Sequence, residues 1–142
     1  MMILGLVFLI LSFATSYLSM LDFSHEISAS SLESSYLKDV TISTVFYSLI
    51  YVVLLFFLLK FESKIVLAIT ILVFIFFTFL INLNVFIDRV SSWSSFSFED
   101  EVISVVFKSY VYVIISVVLL YITIKKNSIN NKSKTTIIKE YL

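Results

Sequence analysis

The fold of this protein is decided by the stretch VTISTVFYSLIYVVLLFFLLKFESKIVLAITILVFIFFTFLINLNVFI, residues 40–87. It contains two apolar runs, 40–59 and 65–87, which are 20 and 23 residues long and are separated only by KFESK. A helix needs about 20 apolar residues to cross the hydrocarbon core of a bilayer, so each run is long enough to span it. The short connection then makes the two helices antiparallel neighbours.

Two further apolar runs flank this hairpin, at residues 1–21 and 102–124. Together the four runs predict an all-α, multi-pass membrane protein whose residues 1–124 form an antiparallel bundle of four transmembrane helices. The composition agrees, because 60% of the 142 residues are hydrophobic and only 14% are charged, against about 25% charged residues in a soluble domain. The remaining residues, 125–142, are polar and basic and predict a disordered tail.

The distribution of charge predicts the orientation in the membrane. Seven of the ten basic residues lie in the 60–64 connection and the tail, whereas the loops 22–39 and 88–101 hold eight of the ten acidic residues. By the positive-inside rule both termini are cytoplasmic. We expect an integral protein of the plasma membrane or of a bacterial inner membrane, with its basic tail on anionic lipid.

An alternative for the first run is a secretory signal peptide. Residues 3–13 would form its apolar region, and the small residues at 14–16 would form its cleavage site. The absence of Lys or Arg before the apolar region disfavours this interpretation, and cleavage would leave the orientation of the other three spans unchanged.

The few polar residues within the spans predict a polar vestibule in the outer part of the bundle. Asn82 and Lys108 each lie six residues from the outer end of their span, which corresponds to about 9 Å at 1.5 Å per residue. Polar helix faces turn toward one another because lipid offers them no hydrogen bonds. The candidate vestibule residues are Lys108, Asn82, Ser104, Tyr112, Ser16, Thr44 and Ser48.

Each of these residues also has a purely structural interpretation. Serine, threonine and asparagine in membrane helices commonly hold neighbouring helices together. Lys108, the only charged residue within the four spans, can extend toward the outer surface. Its potential ion-pair partners there are Asp22, Asp39, Asp88 and Glu101.

The second outer loop combines aromatic and acidic residues next to the start of the fourth span. The candidate partner-binding residues are Trp93, Phe96, Phe98, Glu99, Asp100 and Glu101. An aromatic belt at the membrane interface would give the same pattern. Ser97 and Asp100 have the spacing of a helix-capping pair, which predicts that the fourth helix begins here.

The sequence carries no catalytic or cofactor-binding pattern. The spans contain no acidic residue and no histidine, and the chain has one glycine and no cysteine. Ser104 and Lys108 resemble a nucleophile and its base, but no oxyanion donors accompany them. His25 is the only histidine and has no second ligand near it in the sequence. We therefore predict no enzyme activity, no metal or cofactor, and no nucleic-acid partner.

The expected function is non-catalytic binding to another membrane protein, or to a second copy of this chain. The size and layout are compatible with accessory subunits of membrane complexes and with immunity-type proteins that neutralise pore-forming toxins, and no motif distinguishes these classes. The alternative is a protomer of an oligomeric channel or transporter with an outward-facing polar vestibule. The apolar inner halves of the spans, and the lack of Gly or Pro interruptions, disfavour that alternative.

Overall fold

In a computed structural model of this protein, the backbone is described for residues 2–31, 33–58 and 63–140, and the side chains for 4–31, 33–58 and 64–126. The architecture is all-helical, as predicted, with no strand among the described residues. The helices are α1 (Met2–Ser19), α2 (Tyr36–Leu58), α3 (Ser63–Arg89) and α4 (Phe98–Glu140). Short 3₁₀ turns follow α1 at Leu21–Phe23 and α3 at Ser91–Trp93.

Three segments are long and apolar enough to cross a membrane: Tyr36–Leu58, Lys64–Trp93 and Phe98–Lys126. Their mean hydropathy values are 2.2, 2.8 and 2.3. The apolar part of α1, Leu4–Ser19, is shorter than these. Three such segments in an all-helical chain indicate a membrane protein.

The helix boundaries follow from local polar contacts. At the start of α4, the Ser97 hydroxyl donates to the Asp100 carboxylate over 2.7 Å and accepts from the Asp100 backbone N–H over 3.3 Å. This is the predicted capping pair. At the start of α2, the Ser35 hydroxyl accepts from the Lys38 N–H over 3.3 Å, so the helix begins four residues before the predicted span at position 40. α4 continues past 124, where the fourth predicted span ends, and the division into a transmembrane domain and a tail stays a prediction.

α1 and α3 are the central helices. α1 contacts α2, α3 and α4, and α3 contacts both α2 and α4. Gly5 allows α1 to approach α2 closely, because a Cβ atom at this position would lie 3.0 Å from Val52 Cγ2. α2 and α4 therefore flank a central pair, and their outer faces are exposed.

The buried apolar residues form two separate clusters. The first lies toward the end of the molecule where α2 ends and α3 begins, which we call the hairpin end; the second lies near the 3₁₀ turns, at what we call the two-loop end. The hairpin-end cluster consists of Phe8, Tyr51, Leu55, Leu58, Phe74, Phe77 and Leu120. The two-loop-end cluster consists of Met20, Tyr36, Val40, Val85, Phe86 and Val105.

Candidate functional site

A group of buried polar residues lies between the two apolar clusters. It consists of six of the polar side chains of α1, α2 and α3 that are at most 3% exposed. We call them the buried polar group: Ser12, Ser16, Thr44, Ser48, Thr78 and Asn82. Four of them were predicted for the vestibule, whereas Ser12 and Thr78 were not. The spacing of four residues from Ser12 to Ser16 and from Thr78 to Asn82 places each of them on the same helix face as a predicted vestibule residue.

The positions of these six residues along their helices can be counted from one aromatic contact. Phe8 of α1 stacks on Tyr51 of α2 with ring centroids 3.8 Å apart, and it meets the edge of Phe74 of α3 at 5.5 Å. Residues three or four apart share a helix face, and each turn advances about 5.4 Å. One turn from this contact toward the two-loop end are Ser12, Ser48 and Thr78, and two turns away are Ser16, Thr44 and Asn82.

The polar atoms of this group have unmet hydrogen-bonding capacity. The five hydroxyl oxygens and both amide atoms of Asn82 have no hydrogen-bond partner within the described part of the chain. Other buried hydroxyls of α1 and α4 are paired: Thr15 Oγ1 donates to the Leu11 carbonyl and lies 2.6 Å from Ser116 Oγ, and Ser109 Oγ donates to the Val105 carbonyl. An unpaired buried polar group costs about 1–3 kcal/mol, so the contrast is energetically significant.

The remaining vestibule candidates lie on α4, away from the buried polar group. Ser104 is half-buried, and Lys108 and Tyr112 are exposed. The inward face of α4 instead carries Val105 and Ser109, each one residue further along, followed by Ser116 and Leu120. One residue corresponds to a rotation of about 100°, which places Ser104, Lys108 and Tyr112 at the side of the helix. The structure therefore does not bring Lys108 together with Asn82.

Lys108 forms an ion pair with Asp22, one of the four acids predicted as its possible partners. Its ammonium group also lies 5.6 Å from the centroid of the Phe23 ring. The lysine side chain is 45% exposed and the aspartate 67%. The Lys108 side chain therefore extends toward the two-loop end, where it reaches an exposed carboxylate.

Arg89, which was not among the candidate site residues, makes several polar contacts at the two-loop end. Its side chain is buried, and Nη2 lies 2.5 Å from Asp39 Oδ2. The guanidinium also donates to the backbone carbonyls of Glu26 and Ser34 and lies 5.5 Å from the centroid of the Tyr36 ring. The sequence indicates its importance only indirectly, because Arg89 is the one arginine of the chain and lies in a segment rich in acidic residues. The sequence does not identify which acid it pairs with.

Further hydrogen bonds link the loops that follow α1 and α3. The Asp88 carboxylate accepts from the Ser30 N–H over 2.8 Å, and the Asp88 carbonyl accepts from the Ala29 N–H over 2.9 Å. The Trp93 indole N–H donates to the Ile27 carbonyl over 2.8 Å. Together with the Arg89 contacts, these bonds hold the first loop against the end of α3.

The predicted partner-binding residues lie within residues 93–101 at the two-loop end, and most of them are exposed. Trp93 and Phe98 are 59% and 68% exposed, and Phe96 is exposed while its ring contacts the edge of Phe86. Glu99 and Asp100 are exposed, and Glu101 is half-buried and accepts a hydrogen bond from Ser91. We call this the aromatic–acidic surface: Trp93, Phe96, Phe98, Glu99, Asp100 and Glu101.

A lateral groove of about 460 Å³ adjoins the aromatic–acidic surface. Its walls include Phe23, Phe86, Phe96 and Phe107, with Lys108 at one side. Among the described residues, no group of three or more His, Asp or Glu side chains is arranged to hold a metal ion. Comparison of the chain with protein-family models, with curated proteins and with solved structures finds no match.

Proposed function

We propose that this protein is a multi-pass membrane protein, a bundle of four transmembrane helices with both termini in the cytoplasm, that binds another membrane protein through its two-loop end. The sorting of basic and acidic residues supports the orientation. The contacts of α1 support its role as the fourth span. A helix lying flat on the membrane surface would meet the other helices only at their ends, whereas Phe8 packs between Tyr51 and Phe74.

The observation that carries the binding proposal is the aromatic–acidic surface. Its aromatic side chains are exposed, and the first loop next to them is held in place by the contacts of Arg89, Asp88 and Trp93. Aromatic residues dominate binding energy in protein interfaces, and a surface that is already ordered loses little entropy when it binds. The adjacent acids favour a partner with basic residues outside the membrane.

Site-specific photocrosslinking in native membranes tests this proposal. A photoreactive phenylalanine analogue replaces Phe98 on the aromatic–acidic surface or, as a matched control, Phe57 on the exposed face of α2, where the side chain is 63% exposed. We expect a discrete protein adduct from position 98 and lipid adducts from position 57. Lipid adducts alone at both positions would contradict binding through this surface.

The second candidate function is a channel or transporter protomer, and the buried polar group is the observation that favours it. Aqueous access can be measured with single cysteines, because the chain has none of its own. If the group lines an outward path, cysteine at position 82 reacts with a membrane-impermeant thiol reagent, while cysteine at the neighbouring buried apolar position 81 does not. An unreactive cysteine at position 82 would exclude the outward path.

A further inference from the structure

The buried polar group is enclosed along each of its three helices. On α1, Ser12 and Ser16 are followed by Met20 and preceded by Phe8, both fully buried, and each neighbour in this series is four residues from the next. The same order occurs on α2 from Tyr51 to Val40 and on α3 from Phe74 to Val85. In each helix, two polar residues therefore lie between an apolar residue of the hairpin-end cluster and one of the two-loop-end cluster.

The side-chain chemistry of the buried polar group limits the class of ligand that it can bind. Each hydroxyl can donate one hydrogen bond and accept two, and the Asn82 amide both donates and accepts. None of the six residues is charged, so an ion held among them would have no compensating charge in a low-dielectric interior. The nearest buried charge on α3 is Arg89, seven residues from Asn82, and Asp39 already pairs with it.

We propose that the buried polar group binds a cluster of ordered water molecules, enclosed between the two apolar clusters. Water is the small neutral ligand that donates and accepts at once, and buried waters in proteins make about three hydrogen bonds each to otherwise unpaired groups. Unpaired atoms on three different helices provide those bonds. This inference is independent of partner binding at the two-loop end.

The competing arrangement is a dry interior in which each hydroxyl rotates onto the carbonyl four residues before it. Thr15 and Ser109 make this bond, and the buried polar group does not. Rotation would also leave the Asn82 amide unpaired, because its donors and acceptor cannot both be satisfied by the carbonyl of a preceding turn. Asn82 is therefore the residue whose environment best separates the two arrangements.

Water-edited solid-state NMR of the full chain in lipid bilayers tests the proposal. We expect magnetisation to pass from water to the Asn82 side-chain amide and the Thr78 backbone amide several-fold faster than to the backbone amides of Leu55 and Phe74, which lie in the hairpin-end cluster. Transfer to Asn82 and Thr78 as slow as transfer to Leu55 would overturn the proposal.

Two variants of α3 provide a matched comparison. Asn82→Leu removes the amide from the buried polar group, and Asn84→Leu removes an exposed amide two residues away. We expect magnetisation transfer from water to the backbone amides of Thr44 and Thr78 to be slower in Asn82→Leu. In Asn84→Leu the same transfer should be unchanged. If Asn82→Leu does not fold, Thr78→Val serves in its place, with slower transfer to Asn82 expected. Unchanged magnetisation transfer in Asn82→Leu, or in Thr78→Val if Asn82→Leu does not fold, would overturn the proposal.

Discussion

Arg89 and Asp39 form an ion pair that joins the last residue of α3 to the first turn of α2, with Nη2 and Oδ2 2.5 Å apart. The arginine side chain is 2% exposed and the aspartate 20%. The same guanidinium also holds the carbonyls of Glu26 and Ser34. One buried cation therefore organises both the helix pair and the loop that precedes α2.

Asp39→Asn is expected to destabilise the protein by about 3 kcal/mol, because it leaves the buried Arg89 charge without a counter-ion. The measurement is reversible unfolding in mixed micelles. Lys38→Met is the control, since this neighbouring charge is exposed. Equal stability of the two variants would show that the ion pair contributes nothing to the fold.

The exposed pair of Lys108 and Asp22 is expected to contribute much less. Asp22→Asn should lower the free energy of unfolding by less than about 1 kcal/mol, because exposed ion pairs gain little over hydration. Added salt should reduce the difference between this variant and the parent protein. A loss as large as that from Asp39→Asn would mean that Lys108 is held in a less hydrated site than its exposure indicates.

The close approach of α1 and α2 at Gly5 gives a steric prediction. Gly5→Val should destabilise the protein by about 1–3 kcal/mol, because its side chain would overlap Val52. Val52→Ala provides space and should recover part of this loss. A double-mutant cycle of unfolding free energies measures the coupling between the two positions, and strictly additive effects would rule out the predicted contact.

The link between the two loops depends on the Trp93 indole. Trp93→Phe keeps an aromatic ring but loses the hydrogen bond to the Ile27 carbonyl. We expect backbone amide exchange at residues 26–30 to accelerate about fivefold, as loss of a net 1 kcal/mol implies. Hydrogen–deuterium exchange with mass spectrometry measures this rate. Phe98→Leu is the control and should leave the rate unchanged, because Phe98 is the most exposed aromatic residue of the surface.

The sequence predicted the helices well because their signal is local. The apolar runs at 40–59 and 65–87 correspond to α2 and α3, and the Ser97–Asp100 pair correctly marked the start of α4. Four transmembrane spans, both termini in the cytoplasm and binding to a membrane partner stay predictions. For α1, the described apolar part is shorter than the other three segments.

The candidate site was only partly predictable. Ser16, Thr44 and Asn82 were predicted for the vestibule, and they are buried two turns from the same aromatic contact. Lys108 has a similar depth but lies on the side of α4. Depth depends on helix rise alone, whereas the direction of a side chain depends on how its helix is rotated against its neighbours.

The all-helical architecture, the apolar segments and the sorting of charge can be read from the amino-acid sequence, because they depend on residue type and helical period. The packing of the helices was needed to show that Asp39 pairs with Arg89 and Asp22 with Lys108, and that α4 contributes no residue to the buried polar group. Pairing and burial depend on the rotation and register of whole helices. Those are fixed by the packing of many side chains together, such as Phe8 between Tyr51 and Phe74.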